Sequence, residues 1–129
     1  MGYESRIYIV RRSRQYDPDI DKTWAEVLAV FNLGRVTVAY ENLVREHPAT
    51  DLFVYADDGN TRIVKDDCGE PLKEFSLLDM RDILYEEMDR RGVHGYSDSM
   101  WTLAKGVLPL LIQKHGFNNG KIVCLHYGY

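Results

Sequence analysis

The amino-acid sequence predicts a single α+β domain in which an antiparallel β-meander shares one sheet with the first and last strands and packs against about four helices. Three observations lead to this fold. The 129 residues suffice to bury one core, and no repeat, low-complexity tract or linker divides residues 1–129. Strand-like segments stand singly at the two ends and as a group of three in the middle. Helix-like segments lie between them, a grouping typical of α+β rather than βαβ proteins.

The first strand-like segment is apolar on both faces. Ile7 and Ile9 share one face, and Tyr8 and Val10 share the other, as expected of a strand that is covered on both sides. The closing segment of the chain is similarly apolar. We therefore expect both terminal strands to join the sheet of the meander.

A first helix is predicted to begin at Thr23, which forms a capping box with Glu26. Apolar residues then recur at the i, i+3, i+4 and i+7 positions of one helical face. They are Trp24, Val27, Leu28 and Phe31. Gly34 stands where a helix commonly ends in a left-handed residue. The pattern predicts a helix that packs its apolar stripe on the core.

Three further helices complete the predicted α content. They are expected over Val38–His47, over Ser76–Gly92, and from Ser97 or Ser99 to Gly116. The segment Val36–Tyr40 is equally compatible with a strand. Pro48 ends the first of these helices, and Pro109 is expected to kink or restart the last one, because proline lacks the N–H of the helical ladder.

The middle of the chain, Asp51–Phe75, predicts the three-stranded meander. Asp58 and Gly59 are a preferred pair for a tight hairpin, because both turn residues need positive φ. A second turn is expected at the segment 66–69, where Gly69 supplies the positive φ. Pro71 places the third strand at an edge, since proline cannot donate to a neighbouring strand.

Composition limits where the protein acts. No apolar run approaches the about 20 residues that cross a bilayer, and the opening residues lack the regions of a signal peptide. Cys68 is expected to be accessible and Cys124 buried, with no disulfide scaffold. We therefore expect a cytoplasmic protein without membrane contact. The net charge of −4 disfavours broad adhesion to nucleic acid but leaves room for a local basic site.

No catalytic or metal-binding pattern is present. His47, His94, His115 and His126 lack zinc-ligand spacing, and no phosphate-binding loop or nucleophile elbow occurs. The carboxylates of the middle region divide between two consecutive turns, which the meander would separate by roughly 15–20 Å. We therefore expect no metal and no cofactor, and the sequence leans away from an enzyme.

Two charged groups are candidate binding residues. Arg11, Arg12 and Arg14 follow the first strand beside Tyr16, a mixture that suits contacts to phosphate or to a base. The second group consists of the carboxylates in the two turns of the meander, which suit a basic groove on a partner. They are Asp57, Asp58, Asp66 and Asp67.

Three segments resemble small uncharacterised proteins that are carried by bacteriophages and prophages. They are Met1-Gly2-Tyr3-Glu4-Ser5-Arg6, the stretch from Ala49-Thr50-Asp51 to Glu74, and His126-Tyr127-Gly128-Tyr129. The resemblance implies an accessory protein, of a class in which many members bind and disable a host system such as CRISPR or nucleotide-signalling immunity. It carries over no functional residue.

Three functions remain open at this point. The first is a non-enzymatic protein that binds and inhibits a bacterial host protein, with a nucleic-acid-handling partner favoured by the acidic turns. The second is a nucleotide or nucleic-acid binder that uses the Arg/Tyr-rich end of the first strand. The third is a small hydrolase whose site is assembled from distant residues. The sequence leaves a monomer and a homodimer equally open.

Overall fold

The computed structural model describes residues 4–92, 95–116 and 120–129. His94 and the opening Met1-Gly2-Tyr3 lie outside the described residues. The strands are β1 (Glu4–Asp17), β2 (Lys22–Arg35), β3 (Leu52–Tyr55), β4 (Arg62–Ile63), β5 (Lys73–Phe75) and β6 (Ile122–Gly128). The helices are α1 (Val38–Glu46), α2 (Leu77–Arg91), α3 (Asp98–Trp101) and α4 (Leu108–His115), with a π-helical segment Thr102–Val107 joining the last two.

One sheet holds the six strands in the order β4-β3-β2-β1-β6-β5. The α+β class is therefore confirmed, and so is the joining of the first and last strands, which pair antiparallel at the centre of the sheet. Ile7 and Ile9 of β1 pack on one side while Tyr8 and Val10 pack on the other, and all four are buried. Both faces of the central strands are covered, as the apolar pattern predicts.

The helix predicted from Thr23 is wrong, because that segment forms β2, the partner of β1 in a long hairpin. A β-bulge causes the misleading pattern. Ile9 pairs with Ala29 and Val10 with Val27, so Leu28 is an extra residue in β2. Beyond the bulge, each residue of β2 faces the side of the sheet opposite to the one that strict alternation would give it. The apolar residues of β2 therefore do not recur at every second position, and their spacing resembles that of an apolar stripe on a helix.

The three-stranded meander is also wrong in part. β3 and β4 do form the hairpin around Gly59, whose φ is 73°. β3 then pairs parallel with β2, and β5 lies at the opposite edge of the sheet, antiparallel to β6. The expected pairing of the second and third strands is reduced to one bridge between Lys65 and Pro71. The sheet is therefore mixed rather than purely antiparallel.

The sheet curls until its two edges approach each other. Ala49 bridges to Lys73, and the amide of Thr50 donates to the carbonyl of Leu72 at 2.9 Å. The curled sheet encloses an apolar cluster on its concave face. Its fully or nearly buried members are Tyr8, Val10, Ala25, Leu52, Val54, Leu72, Val123, Leu125 and Tyr127. The fold thus resembles a small barrel that is filled with side chains.

The helices cover the other face of the sheet and bury the larger cluster. About four helices were expected. The described residues contain three helical stretches, namely α1, α2 and the continuous run of α3, the π-helical segment and α4, since the predicted first helix is a strand. Val36–Tyr40 is resolved in favour of a helix that begins at Val38. Ser76 caps α2 by accepting from the amide of Asp79, and Ser97 caps α3. These caps agree with the sequence prediction.

The irregularity expected around Pro109 is present as the π-helical segment that precedes it. Thr102 and Leu108 keep right-handed helical dihedral angles, so the backbone continues from α3 to α4. None of the helices described here combines the length and the apolar composition that crossing a bilayer requires.

Candidate functional site

The turn between β3 and β4 carries one carboxylate that is engaged in the fold and one that is not. Asp58 accepts hydrogen bonds from the amides of Asn60 and Thr61, each at 2.8 Å, and from the Thr61 hydroxyl. The Thr61 hydroxyl is the main reason that the pKa of Asp58 lies below its usual value. Asp57 is exposed and has no hydrogen-bond or ion-pair partner among the described residues. Asp57 is therefore the carboxylate of this turn that is available to a ligand.

The second acidic turn serves the fold. Asp66 is buried and accepts from the amides of Cys68 and Glu70, each at 2.9 Å, and of Gly128 at 3.2 Å. Asp67 accepts a hydrogen bond of 2.5 Å from the hydroxyl of Tyr127. Both carboxylates anchor the 66–69 turn to β6. No group of three or more His, Cys, Asp or Glu side chains in the described ranges could hold a metal ion.

The predicted basic site does not converge on an aromatic surface. Arg11 pairs with Glu26 at 2.6 Å, and Arg12 pairs with Asp51 at 2.9 Å and with Glu74 at 3.2 Å. These carboxylates neutralise much of the positive charge that the sequence concentrates here. Arg14 and Tyr16 complete the predicted group. Arg14 is exposed and unpaired within the described residues, while Tyr16 bonds Asp21 rather than an arginine neighbour.

A different arginine does meet the tyrosines. The guanidinium of Arg6 lies 4.6 Å from the ring centre of Tyr129 and 5.2 Å from that of Tyr127, and its Nε donates to Asn32 at 2.8 Å. The Tyr127 ring also meets Tyr8 edge-on, with centres 6.1 Å apart. Alternation places Arg6 and Tyr8 on the same face of β1, and the sequence carries that signal. The tyrosines of β6 come to them only through strand pairing.

This Arg6 cluster borders a groove of about 230 Å³ at one end of the curled sheet. We call it the mouth groove. Its lining residues are Arg6, Tyr8, Val27, Val30, Tyr55, Ala56, Asp57 and Ile63. Apolar walls therefore stand between a cation that is held in place and an unpaired carboxylate. Sequence reasoning missed this grouping, because the residues come from four strands, β1 to β4, that are far apart in the chain and become neighbours only through pairing in the sheet.

Aromatic side chains form a second surface next to the mouth groove, on the far side of Tyr55. Phe53 and Tyr55 alternate with Leu52 and Val54 and so occupy the opposite face of β3, where Phe53 is buried and Tyr55 is exposed. Tyr55 meets Phe53 at 5.3 Å and Trp24 at 6.5 Å between ring centres. The loop after β1 adds Gln15, Tyr16, Asp17 and Pro18 around a shallow cavity of about 160 Å³. We call Tyr16, Trp24, Tyr55 and Asp57 the hairpin-edge surface.

Cys68 and His126 both line a cavity of about 280 Å³. Arg45, Asp66 and Lys73 line it as well. A catalytic cysteine–histidine pair needs a thiol pKa that is lowered towards the thiolate. Burial first, and then the neighbouring carboxylates, raise the pKa of Cys68 instead. Burial also lowers the pKa of His126 to about 4, so its ring is neutral at pH 7. Both shifts oppose the ion pair that such a nucleophile uses.

A further cavity of about 310 Å³ lies between α2 and the π-helical segment. Lys105 of that segment lies 4.1 Å from the ring centre of Tyr85, and Arg81 approaches the same ring at 5.5 Å. Asp89 and Tyr96 complete the polar lining. The two cations already share the aromatic ring, so the arrangement is accounted for by packing between the helices.

Comparisons of the chain with protein-family models, with curated proteins and with solved structures found no match.

Proposed function

We propose that the protein is a non-enzymatic accessory protein that binds a basic groove on a larger bacterial protein. The hairpin-edge surface carries this proposal, because it combines exposed aromatic side chains with an unpaired carboxylate. As a phage-encoded protein in the host cytoplasm, it would inhibit a host defence protein by occupying the groove in which that protein handles nucleic acid.

The exposed apolar side chains support a protein interface. Four of the seven large ones among the described residues belong to β1, β2 and β3: Tyr16, Leu28, Val30 and Tyr55. Of these four, the aromatic residues Tyr16 and Tyr55 belong to the hairpin-edge surface, and aromatic residues are enriched in the cores of protein interfaces. Tyr16 is 56% exposed and Tyr55 41%, which leaves large aromatic areas for a partner to cover.

The charges around this surface favour a basic partner. Asp57 is unpaired, and the side chain of Asp19 in the neighbouring loop is likewise exposed without a partner among the described residues. Asp17 in the same loop is neutralised by Arg62 at 2.6 Å. An acidic rim around an aromatic centre accelerates association with a positively charged groove and disfavours acidic partners.

Affinity capture from a bacterial lysate tests the proposal, provided that single variants of the tagged protein are compared. Asp57→Lys is expected to abolish capture through charge repulsion, and Tyr16→Ala is expected to weaken binding to the purified partner by about tenfold or more. Both side chains are exposed, so the fold should tolerate the changes. Rising salt should weaken binding of the wild-type protein.

Arg14→Glu is the matched control, because it changes the charge by the same amount at an exposed, unpaired side chain outside the surface. Capture should persist in this variant. The proposal fails if Arg14→Glu removes capture as well as Asp57→Lys does, or if Asp57→Lys has no effect. It fails equally if the purified protein alone turns over a substrate and His126→Ala abolishes that turnover.

A further inference from the structure

The mouth groove has a composition that a protein interface does not require. Arg6 lines the groove and is fixed by contacts with the rings of Tyr127 and Tyr129 and by a hydrogen bond to the amide oxygen of Asn32. Asp57 stands in the same lining without a partner among the described residues. The openings of barrel-like sheets are common sites for small ligands, in which apolar walls accompany a few polar groups that fix orientation.

The size and the walls of the groove limit the ligand. Pockets for drug-sized molecules span roughly 300–1,000 Å³, so a groove of about 230 Å³ admits one ring system rather than a whole nucleotide. Val27, Val30 and Ile63 provide apolar walls. A flat heteroaromatic ring with polar edges fits these walls.

Arg6 and Asp57 favour one heteroaromatic ring over another through the hydrogen bonds that each side chain can form. The guanidinium has five N–H donors. Nε–H serves Asn32, and the Tyr8 and Tyr129 side chains engage part of the terminal nitrogens, which leaves the remaining donors for a ligand. Arginine pairs with two acceptors on one edge of guanine, O6 and N7. Asp57 accepts only, and the neighbouring edge of guanine presents N–H donors. Adenine offers an amino group in place of O6, so it would present a donor to Arg6.

We propose that the mouth groove binds a guanine base, with Arg6 at its O6/N7 edge, Asp57 at its N–H edge and the apolar side chains of Val27, Val30 and Ile63 against its faces. The sugar and phosphate remain outside the groove. This site is separate from protein binding through the hairpin-edge surface, although Tyr55 and Asp57 border both.

Titration calorimetry with GMP and AMP tests the assignment on the full chain. GMP is expected to bind at least about tenfold more tightly than AMP, because one base offers Arg6 two acceptors and the other does not. Asp57→Asn should reduce this preference, since the amide replaces one acceptor oxygen by a donor. A uridine-rich oligonucleotide with a single guanosine, compared with GMP, distinguishes a guanine within RNA from a free nucleotide.

Two variants on β2 separate groove occupancy from changes in folding. Val30 and Leu28 are both exposed, but only Val30 lines the groove. Val30→Trp should fill the groove and abolish GMP binding, while Leu28→Trp should bind like the wild-type protein. Thermal melts of both variants check that they are folded.

Three results would each overturn the assignment. They are equal affinity for GMP and AMP, wild-type GMP binding by folded Val30→Trp, and no binding of either nucleotide at millimolar concentration. None of these results bears on capture of a protein partner, which depends on Tyr16 and Asp57.

Discussion

The hydroxyl of Tyr127 donates a hydrogen bond of 2.5 Å to Asp67, a residue 60 positions earlier in the chain. The neighbouring backbone reinforces this contact, since the amide of Asp67 donates to the carbonyl of Gly128 at 3.1 Å. The closing strand is thereby attached to the 66–69 turn as well as to β1. The aromatic residues at the end of the chain are thus built into the fold, and they hold Arg6 at the mouth groove.

Tyr127→Phe removes this side-chain contact without changing the packing of the ring. We expect the free energy of unfolding at pH 7 to fall by about 1–2 kcal/mol, because the hydrogen bond has a charged acceptor and lies partly out of solvent. Urea unfolding measures the loss. Tyr16→Phe is the control, because its bond to Asp21 is exposed, and the loss should be much smaller.

The stability difference between the wild-type protein and Tyr127→Phe should also depend on pH in the alkaline range. Burial, together with the hydrogen bond to Asp67, raises the pKa of Tyr127 to about 12 from the usual 10. The folded state therefore keeps the proton over a range in which the unfolded state has lost it. This contribution is complete below pH 10 and declines towards pH 12. The difference between wild-type protein and Tyr127→Phe should shrink over that range, and a constant difference would contradict the contact.

Glu87 is a fully buried carboxylate that joins α2 to the start of α1. It accepts from the amide of Thr37 at 2.9 Å and from the Thr37 hydroxyl, and it pairs with Arg90 at 2.9 Å and with Arg91 at 3.1 Å. Its neighbour Glu86 is exposed and, within the described part of the chain, pairs with Arg90 alone, at 3.4 Å. The two adjacent residues thus offer a matched comparison of a buried and a surface ion pair.

Glu87→Ala should lower the free energy of unfolding by about 3–5 kcal/mol, because it leaves the Thr37 amide and the two arginines without their shared acceptor. Glu86→Ala should change it by no more than about 1 kcal/mol, as is usual for exposed pairs. Urea unfolding of both variants provides the measurement. Equal losses in the two variants would show that the buried network contributes no more than a surface pair.

Much of the fold follows from local signals in the sequence. The caps at Ser76 and Ser97, the turn at Gly59 and the two-sided burial of β1 all depend on neighbours within a few residues. β2 could not be recognised in this way. Its bulge at Leu28 depends on pairing with β1, which local sequence does not reveal. The bulge leaves apolar residues at the spacing expected of a helix, and the capping pattern at the start of the segment also favours a helix.

The candidate site was less accessible to sequence reasoning than the fold. Asp57 was identified as a binding candidate, and its exposure is visible from the turn alone. Arg11 and Arg12 were candidates because of their charge, but their carboxylate partners lie far away in the chain. The mouth groove needs the curled sheet to bring Arg6 to Asp57, and non-local pairing of this kind leaves no periodic trace in the sequence.

The two cysteines should differ sharply in reactivity. Cys68 is exposed and Cys124 is buried, so iodoacetamide should modify one thiol of the native protein and the second only in denaturant. Cys68→Ser should remove the native reaction, and Cys124→Ser should preserve it. Because burial and nearby carboxylates raise the pKa of Cys68, its reaction at pH 7.5 should be slower than that of free cysteine. Modification that is as fast as for free cysteine would contradict this environment.

His126 should make the protein sensitive to mild acid. Its ring is 2% exposed, and burial lowers its pKa to about 4 from 6.5, so the unfolded state binds a proton that the folded state excludes. The contribution of His126 to the free energy of unfolding is complete above pH 6.5 and declines towards pH 4. The slope of this decline is up to about 1.4 kcal/mol per pH unit. His126→Gln removes the titrating group. Urea unfolding at several pH values between 4 and 6.5 should therefore show that the free energy of unfolding of this variant depends less on pH than that of the wild-type protein. His115→Gln, a change at an exposed histidine, should leave the profile unaltered, and parallel profiles for wild-type protein and His126→Gln would show that His126 is protonated equally in both states.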